Sequence, residues 1–133
     1  MHSWGIGAFE NNDALDWLYE LEKSDGLESV LDVLEEITKS NKAFINDPEC
    51  FRGIAAAEVL SAFHGEPCLT LPKDVRQWLD KQEKHKIDKE LREKAVLVIQ
   101  KVKNHSDAQT HWEESDEFDV WKDELDSLIK RLK

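Results

Sequence analysis

The sequence predicts an all-α protein: an irregular bundle of about six helices in antiparallel hairpins, with a glycine-containing N-terminal loop packed on the bundle. Three observations lead there. Apolar residues recur every three or four positions along most of the chain, strand-like alternation is almost absent, and Pro, Gly, Asn and Asp fall where the periodic segments stop.

The first helix runs from about Asp13 to Lys23, entered through Asn11 and Asn12 as capping residues, with Ala14, Leu18 and Leu21 on one face. Gly26 separates it from a second helix, about Leu27 to Ser40, where Leu27, Val30, Leu31, Leu34 and Ile37 form a helical stripe. Asp47-Pro48-Glu49 reads as a helix start: Asp47 can accept hydrogen bonds from exposed N–H groups, and Pro48 lacks a donor where none is needed. That third helix extends to about His64 and ends at Gly65 and Pro67, one tolerating a left-handed backbone and the other unable to continue a helix. Its stretch from Ile54 to Phe63 is apolar nearly all round, as expected of a helix surrounded by others.

Pro72 opens a shorter fourth helix to about Lys84, with Val75, Trp78 and Leu79 facing inward. Asp88 caps a fifth that runs to about Asn104 and carries Leu91, Ala95, Val98, Ile99 and Val102 as its stripe. The last helix starts near Ser115-Asp116 and places Phe118, Trp121, Leu125, Leu128, Ile129 and Leu132 at three- and four-residue spacing. Its final turn is basic (Lys130, Arg131, Lys133), which suits the negative end of the helix dipole.

No repeat or linker interrupts the 133 residues, so a single helical domain over 1–133 is expected, long enough to bury its own core. The two cysteines, Cys50 and Cys68, lack metal-ligand spacing and read as reduced thiols. The N-terminus has no basic segment followed by an apolar one, and no apolar run approaches the roughly 20 residues needed to span a bilayer. A cytoplasmic protein is expected.

Eighteen basic against twenty-nine acidic side chains give a net charge of −11, which argues against nucleic acid or an anionic membrane as partner and permits a basic protein. Acidic segments at both ends flank a net basic stretch over 73–104. In structural terms this charge serves solubility and helix-surface pairing, for instance Glu90 with Lys94. In functional terms it offers an acidic face for a cationic protein, with Glu35 and Glu36, or Glu113 and Glu114, as the contact residues.

The run Trp4-Gly5-Ile6-Gly7-Ala8-Phe9-Glu10-Asn11-Asn12-Asp13-Ala14-Leu15-Asp16-Trp17-Leu18 closely resembles the opening of a bacterial family known as domain of unknown function 4259. Ala55-Ala56-Ala57-Glu58-Val59-Leu60, followed by Gly65-Glu66-Pro67, resembles that family's central helix and its exit, and Trp112 to Trp121 resembles its last helix. The likeness covers nearly the whole chain; His2-Ser3 and Asn12 depart from the usual pattern without touching the fold. The resemblance implies a bacterial origin and marks Trp4, Gly5, Gly7, Phe9, Asp13, Asp16 and Glu58 as the motif, but it carries over no reaction or substrate.

Gly5 and Gly7 free the backbone of the opening loop while Trp4 and Phe9 flank it with large apolar groups, which suits a plug folded back over the helices. An anion cradle is the alternative. Gly-x-Gly without a preceding strand or a following Lys is a weak phosphate signal, and Glu10, Asp13 and Asp16 would repel phosphate. Glu58 is the most informative residue: one carboxylate among alanines and branched aliphatics has to find a partner. Structurally its donors would be backbone N–H groups of the glycine loop, an indole or Arg52; chemically it would be a general acid or base with a shifted pKa.

The five histidines are scattered without ligand spacing, and no nucleophile motif is present, so neither metal nor cofactor is expected. Three functions compete. The first is an acidic protein-binding module, such as an immunity protein that neutralises a basic toxin. The second is a small enzyme using Glu58 or the Glu10/Asp13/Asp16 carboxylates, which ranks below it. The third is a cytosolic scaffold or stress protein.

Overall fold

The computed structural model describes residues 7–24, 26–40, 44–82 and 87–133. Among them are seven helices: α1 (Asn12–Lys23), α2 (Glu28–Thr38), α3 (Asp47–Phe63), α4 (Lys73–Lys81), α5 (Lys89–Asn104), α6 (Asp107–Glu113) and α7 (Phe118–Leu132). The described residues form no strand, and an isolated parallel bridge joins Ile45 to Ser106.

A helix without a polar face has to be enclosed, and α3 is. It packs against α1, α2, α5, α6 and α7, and every residue from Gly53 to Ser61 is buried. The alanines at 55–57 let neighbouring backbones approach, while Cys50, Val59 and Leu60 fill the space between them with no exposure at all. Around this axis the outer helices bury the stripes that the periodicity picks out: Ala14, Leu18 and Leu21 of α1, which buries Trp17 as well, Val30, Leu34 and Ile37 of α2, Val98, Ile99 and Val102 of α5, and Leu125, Leu128 and Leu132 of α7. No described helix is long and apolar enough to cross a membrane.

The helix ends follow hydrogen-bonding needs. Asn11 Oδ1 accepts from the Ala14 amide at 2.7 Å, and Asp88 Oδ1 from the Leu91 amide at 2.8 Å, as the sequence predicts for both caps. At α3 the cap is one residue earlier than expected: Asn46 accepts from the Glu49 amide at 3.0 Å, and Asp47 is already helical. A neutral amide oxygen serves that role as well as a carboxylate, so the composition alone does not separate the two. Gly65 adopts φ +95°, the left-handed stop that its type and place predict.

The helix absent from the sequence reading is α6. Ser106 opens it, accepting from the Gln109 amide at 3.1 Å while its own hydroxyl donates to the Val102 carbonyl of α5. The adjoining bridge, with Ile45 N donating to His105 O at 3.0 Å and Asp107 N to Ile45 O at 2.9 Å, fixes the corner between α5 and α6. With α6 in place α7 starts at Phe118 rather than at Ser115-Asp116; separately, α4 ends at Lys81 with Gln82 as its C-cap, and Lys84 lies outside the described residues.

Where α2, α3 and α5 meet, Gly53 has no room for a side chain. A Cβ there would lie 2.8 Å from Ile37 Cδ1 and 3.1 Å from Val98 Cγ1, both on buried residues. Gly53→Val should therefore lower stability by about 1–3 kcal/mol through overpacking, read as a drop in denaturant midpoint. An unchanged midpoint would mean that the three helices are not packed this closely.

Candidate functional site

Glu58 lies on the enclosed helix with 5% of its surface exposed. Its carboxylate meets the guanidinium of Arg131, in the last turn of α7: Nη1 donates to Oε1 at 2.7 Å and Nη2 to Oε2 at 3.4 Å. Nη1 also reaches the Ser61 hydroxyl at 3.5 Å and the Glu66 carbonyl at 3.4 Å. Ser61 in turn donates to the Glu66 carbonyl at 2.6 Å. One guanidinium thus joins the central helix, the turn that leaves it and the last helix.

Among the described residues the donor to Glu58 is Arg131, not Arg52; Trp4, Gly5 and Ile6 of the glycine loop lie outside the described residues. The Gly7 amide donates instead to Glu10 Oε1 at 3.2 Å, and Arg52 pairs with Glu36 at 3.4 Å. The physical reason is charge. A fully desolvated carboxylate is held better by a planar, permanently charged fork than by neutral amides. Arg131 reads from the sequence as a partner for the helix dipole, yet it stands three residues beyond Leu128, at the edge of the buried stripe, where a long cationic chain can turn inward.

Burial is the largest influence on Glu58 and pushes its pKa up, while the hydrogen bond and charge of Arg131 pull it down; the net direction is upward. The same pairing raises Arg131 against its own desolvation. The recess beside Glu58, lined by Gly7, Asn11, Trp112 and Trp121 among others, measures about 20 Å³. That is the scale of one water and far below the several hundred Å³ of a ligand pocket.

On the outer side of Arg131 a cleft of about 400 Å³ brings Glu10, Cys68, Thr70 and Glu124 together. Burial, with the nearby Glu58 charge, raises the Cys68 pKa, so its sulfur is a protonated thiol at neutral pH and a poor nucleophile. Cys50, fully enclosed, is pushed up to about 11 by burial and is inert as well.

Among the described residues the remaining motif positions fall at separate places. Phe9 is buried against the core, Gly7 and Glu10 close a turn through Glu10 N to Gly7 O at 3.1 Å, and Asp13 sits in the first turn of α1. Asp16 lies on the exposed face of α1. Trp4 and Gly5, and with them half of the plug expectation, lie outside the described residues. Among the described residues no group of three or more His, Cys, Asp or Glu side chains could hold a metal ion.

The two acidic pairs differ. Glu35 is held by Lys39 at 3.5 Å and by Lys94 of α5 at 3.8 Å, and Glu36 by Arg52. Lys94 therefore reaches across to α2 rather than along its own helix to Glu90. By contrast the partner of Glu113 among the described residues is the neutral Gln109, at 2.8 Å, and Glu114 is exposed. With Asp116, Glu117, Asp119 and Asp123 they form an exposed acidic strip, and the cation within it, Lys122, lies 5.1 Å over the Phe118 ring.

Arg131→Met leaves the Glu58 carboxylate buried without its cation and should cost about 3–5 kcal/mol at pH 8. The sign with pH follows from the raised pKa. A folded state that binds the proton more tightly than the unfolded chain gains stability in acid and loses it as pH rises through the folded-state value. Removing Arg131 raises that value further, so the deficit should shrink as pH falls toward the ordinary carboxylate range. A deficit independent of pH would show that the carboxylate is not desolvated.

No curated protein and no solved structure is matched by this chain. The family model described as domain of unknown function (DUF4259) matches residues 3–124, which include Glu58 and the acidic strip but stop short of Arg131. The chain belongs to the family of domain of unknown function 4259.

Proposed function

We propose that this chain is an acidic protein-binding module that acts in the cytoplasm by docking a basic protein, of the kind represented by an immunity protein and its toxin. The observation that carries the reading is the contrast between the two sets of carboxylates. Glu58 is neutralised inside the fold by Arg131, and Glu35 and Glu36 by lysines and an arginine of the chain itself, whereas the strip from Glu113 to Asp123 keeps its charge turned to solvent. Like charges held together, in no ion pair among the described residues, favour an approaching cationic surface and speed its association.

The enzyme reading has less to support it. The carboxylate with a shifted pKa is locked in a two-point ion pair, the recess at its side is too small for a substrate, and the nearby thiol is protonated. Glu10 lines the cleft outside Arg131, which neither Asp13 nor Asp16 lines.

The test is co-expression with the product of an adjacent toxin-like reading frame. The chain should restore growth and form a complex whose association slows with salt. Glu113→Lys with Glu114→Lys should slow association by about tenfold or more, while Glu35→Lys with Glu36→Lys should act less on association and more on folding. Failure to restore growth, or association indifferent to salt and to Glu113 and Glu114, would contradict the reading.

A further inference from the structure

Opposite in chemistry to the closed Glu58 recess is an open groove between α1 and α4. Leu15, Tyr19 and Glu22 stand at successive turns of α1; Leu15 is 37% and Tyr19 66% exposed. The far wall is Asp74, Gln77 and Lys81 of α4, with Leu18 and Trp78 as the apolar floor. Two hollows of about 140 and 320 Å³ meet at Glu22 and Asp74, which line both.

The groove is preformed. Trp78 Nε1 donates to the Ser24 carbonyl at 3.2 Å, and the Gly26 amide donates to Gln82 Oε1 at 2.6 Å, so the end of α4 is bonded to the turn that follows α1. Its charge has a direction. Glu22 and Asp74 face each other across it, Asp16 and Glu20 lie exposed on the next ridge of α1, and among the described residues none of the four is in an ion pair. Lys23 and Lys81 offset only part of this charge.

Building on the protein-binding reading above, we propose that the α1/α4 groove receives a basic amphipathic helix of the partner, with Tyr19 as the anchoring side chain. An aliphatic ridge on that helix lies against Leu15, Tyr19 and Leu18, and lysines or arginines beside it meet Glu22 and Asp74. This is helix-in-groove recognition, with apolar contacts for affinity and opposite charge for orientation. A tyrosine with two thirds of its surface exposed beside an apolar floor is the kind of residue on which binding energy concentrates. An acidic helix would be repelled from the same place.

The probe is a synthetic leucine–lysine amphipathic helix, titrated against the full chain and followed by NMR, with a leucine–glutamate helix of the same pattern as control. The lysine helix should shift the resonances of Leu15, Tyr19 and the Trp78 indole, and the glutamate helix should leave them in place. Tyr19→Ala, and Glu22→Lys with Asp74→Lys, should each weaken binding by about tenfold or more. Glu113→Lys with Glu114→Lys should weaken it less than about threefold, because that strip lies outside the groove. Equal losses from all three variants would mean diffuse attraction and overturn the groove. Shifts centred on the exposed Leu97 of α5 would overturn it too, as would self-association abolished by Tyr19→Ala, the mark of a groove covered by a second copy. A toxin-like partner that responds to Glu113 and Glu114 but not to Tyr19 would remove the groove and leave the protein-binding reading standing.

Discussion

One ionised carboxylate placed on a helix buried all round from Gly53 to Ser61 constrains the rest of this molecule. Enclosing α3 brings Glu58 along, and a charge there is tolerable only if an opposite charge is delivered to it inside the fold. Arg131 does so from the far end of the chain, so α7 has to run past α3 with its last turn at the level of Glu58. That register places Leu125, Leu128 and Leu132 against the core and sets the turn after α3 under the guanidinium through Glu66. The ion pair does not make the core cohesive, since apolar burial does that. It specifies which of several ways of packing apolar helices leaves no charge unpaired.

The same logic explains why the most evident chemical group in the sequence is not the place to expect chemistry. A general acid or base needs access to a substrate, and Glu58 has a guanidinium on both oxygens and a recess of about 20 Å³ at its side. The raised pKa records burial rather than activation. The thiol of Cys68, across Arg131, is shifted in the direction that removes reactivity. What remains available to other molecules is the outer surface, where among the described residues neither the carboxylates from Glu113 to Asp123 nor Glu22 and Asp74 beside Tyr19 are in an ion pair.

Much of this fold is legible before any coordinates. The 3.6-residue stripes of α1, α2, α5 and α7 report burial directly, and Asn11, Asp88, Gly65 and Pro72 mark boundaries through backbone chemistry that is local in sequence. The missed features depend on contacts distant in sequence. Seven residues are too few for α6 to show a period, and its start depends on Ser106 bonding back to α5 and on the bridge to Ile45. The need for a cation at Glu58 is visible in Ala55 to Ala62, but its supply by Arg131, seventy-three residues later, rests on the register of two helices that no local pattern encodes. Likewise the neutralising of Glu35 by Lys94 and of Glu36 by Arg52 appears only once α2 lies beside α5 and α3.

The claim that this buried pair sets the packing is tested most directly by a double-mutant cycle on Glu58→Gln and Arg131→Met, with unfolding free energies measured at neutral pH. If the two side chains act as one desolvated unit, the double variant should be more stable than the sum of the single losses allows, with a coupling energy of about 1.5–3 kcal/mol. Losses that add to within about 0.5 kcal/mol would show the residues to be independent and would contradict the account.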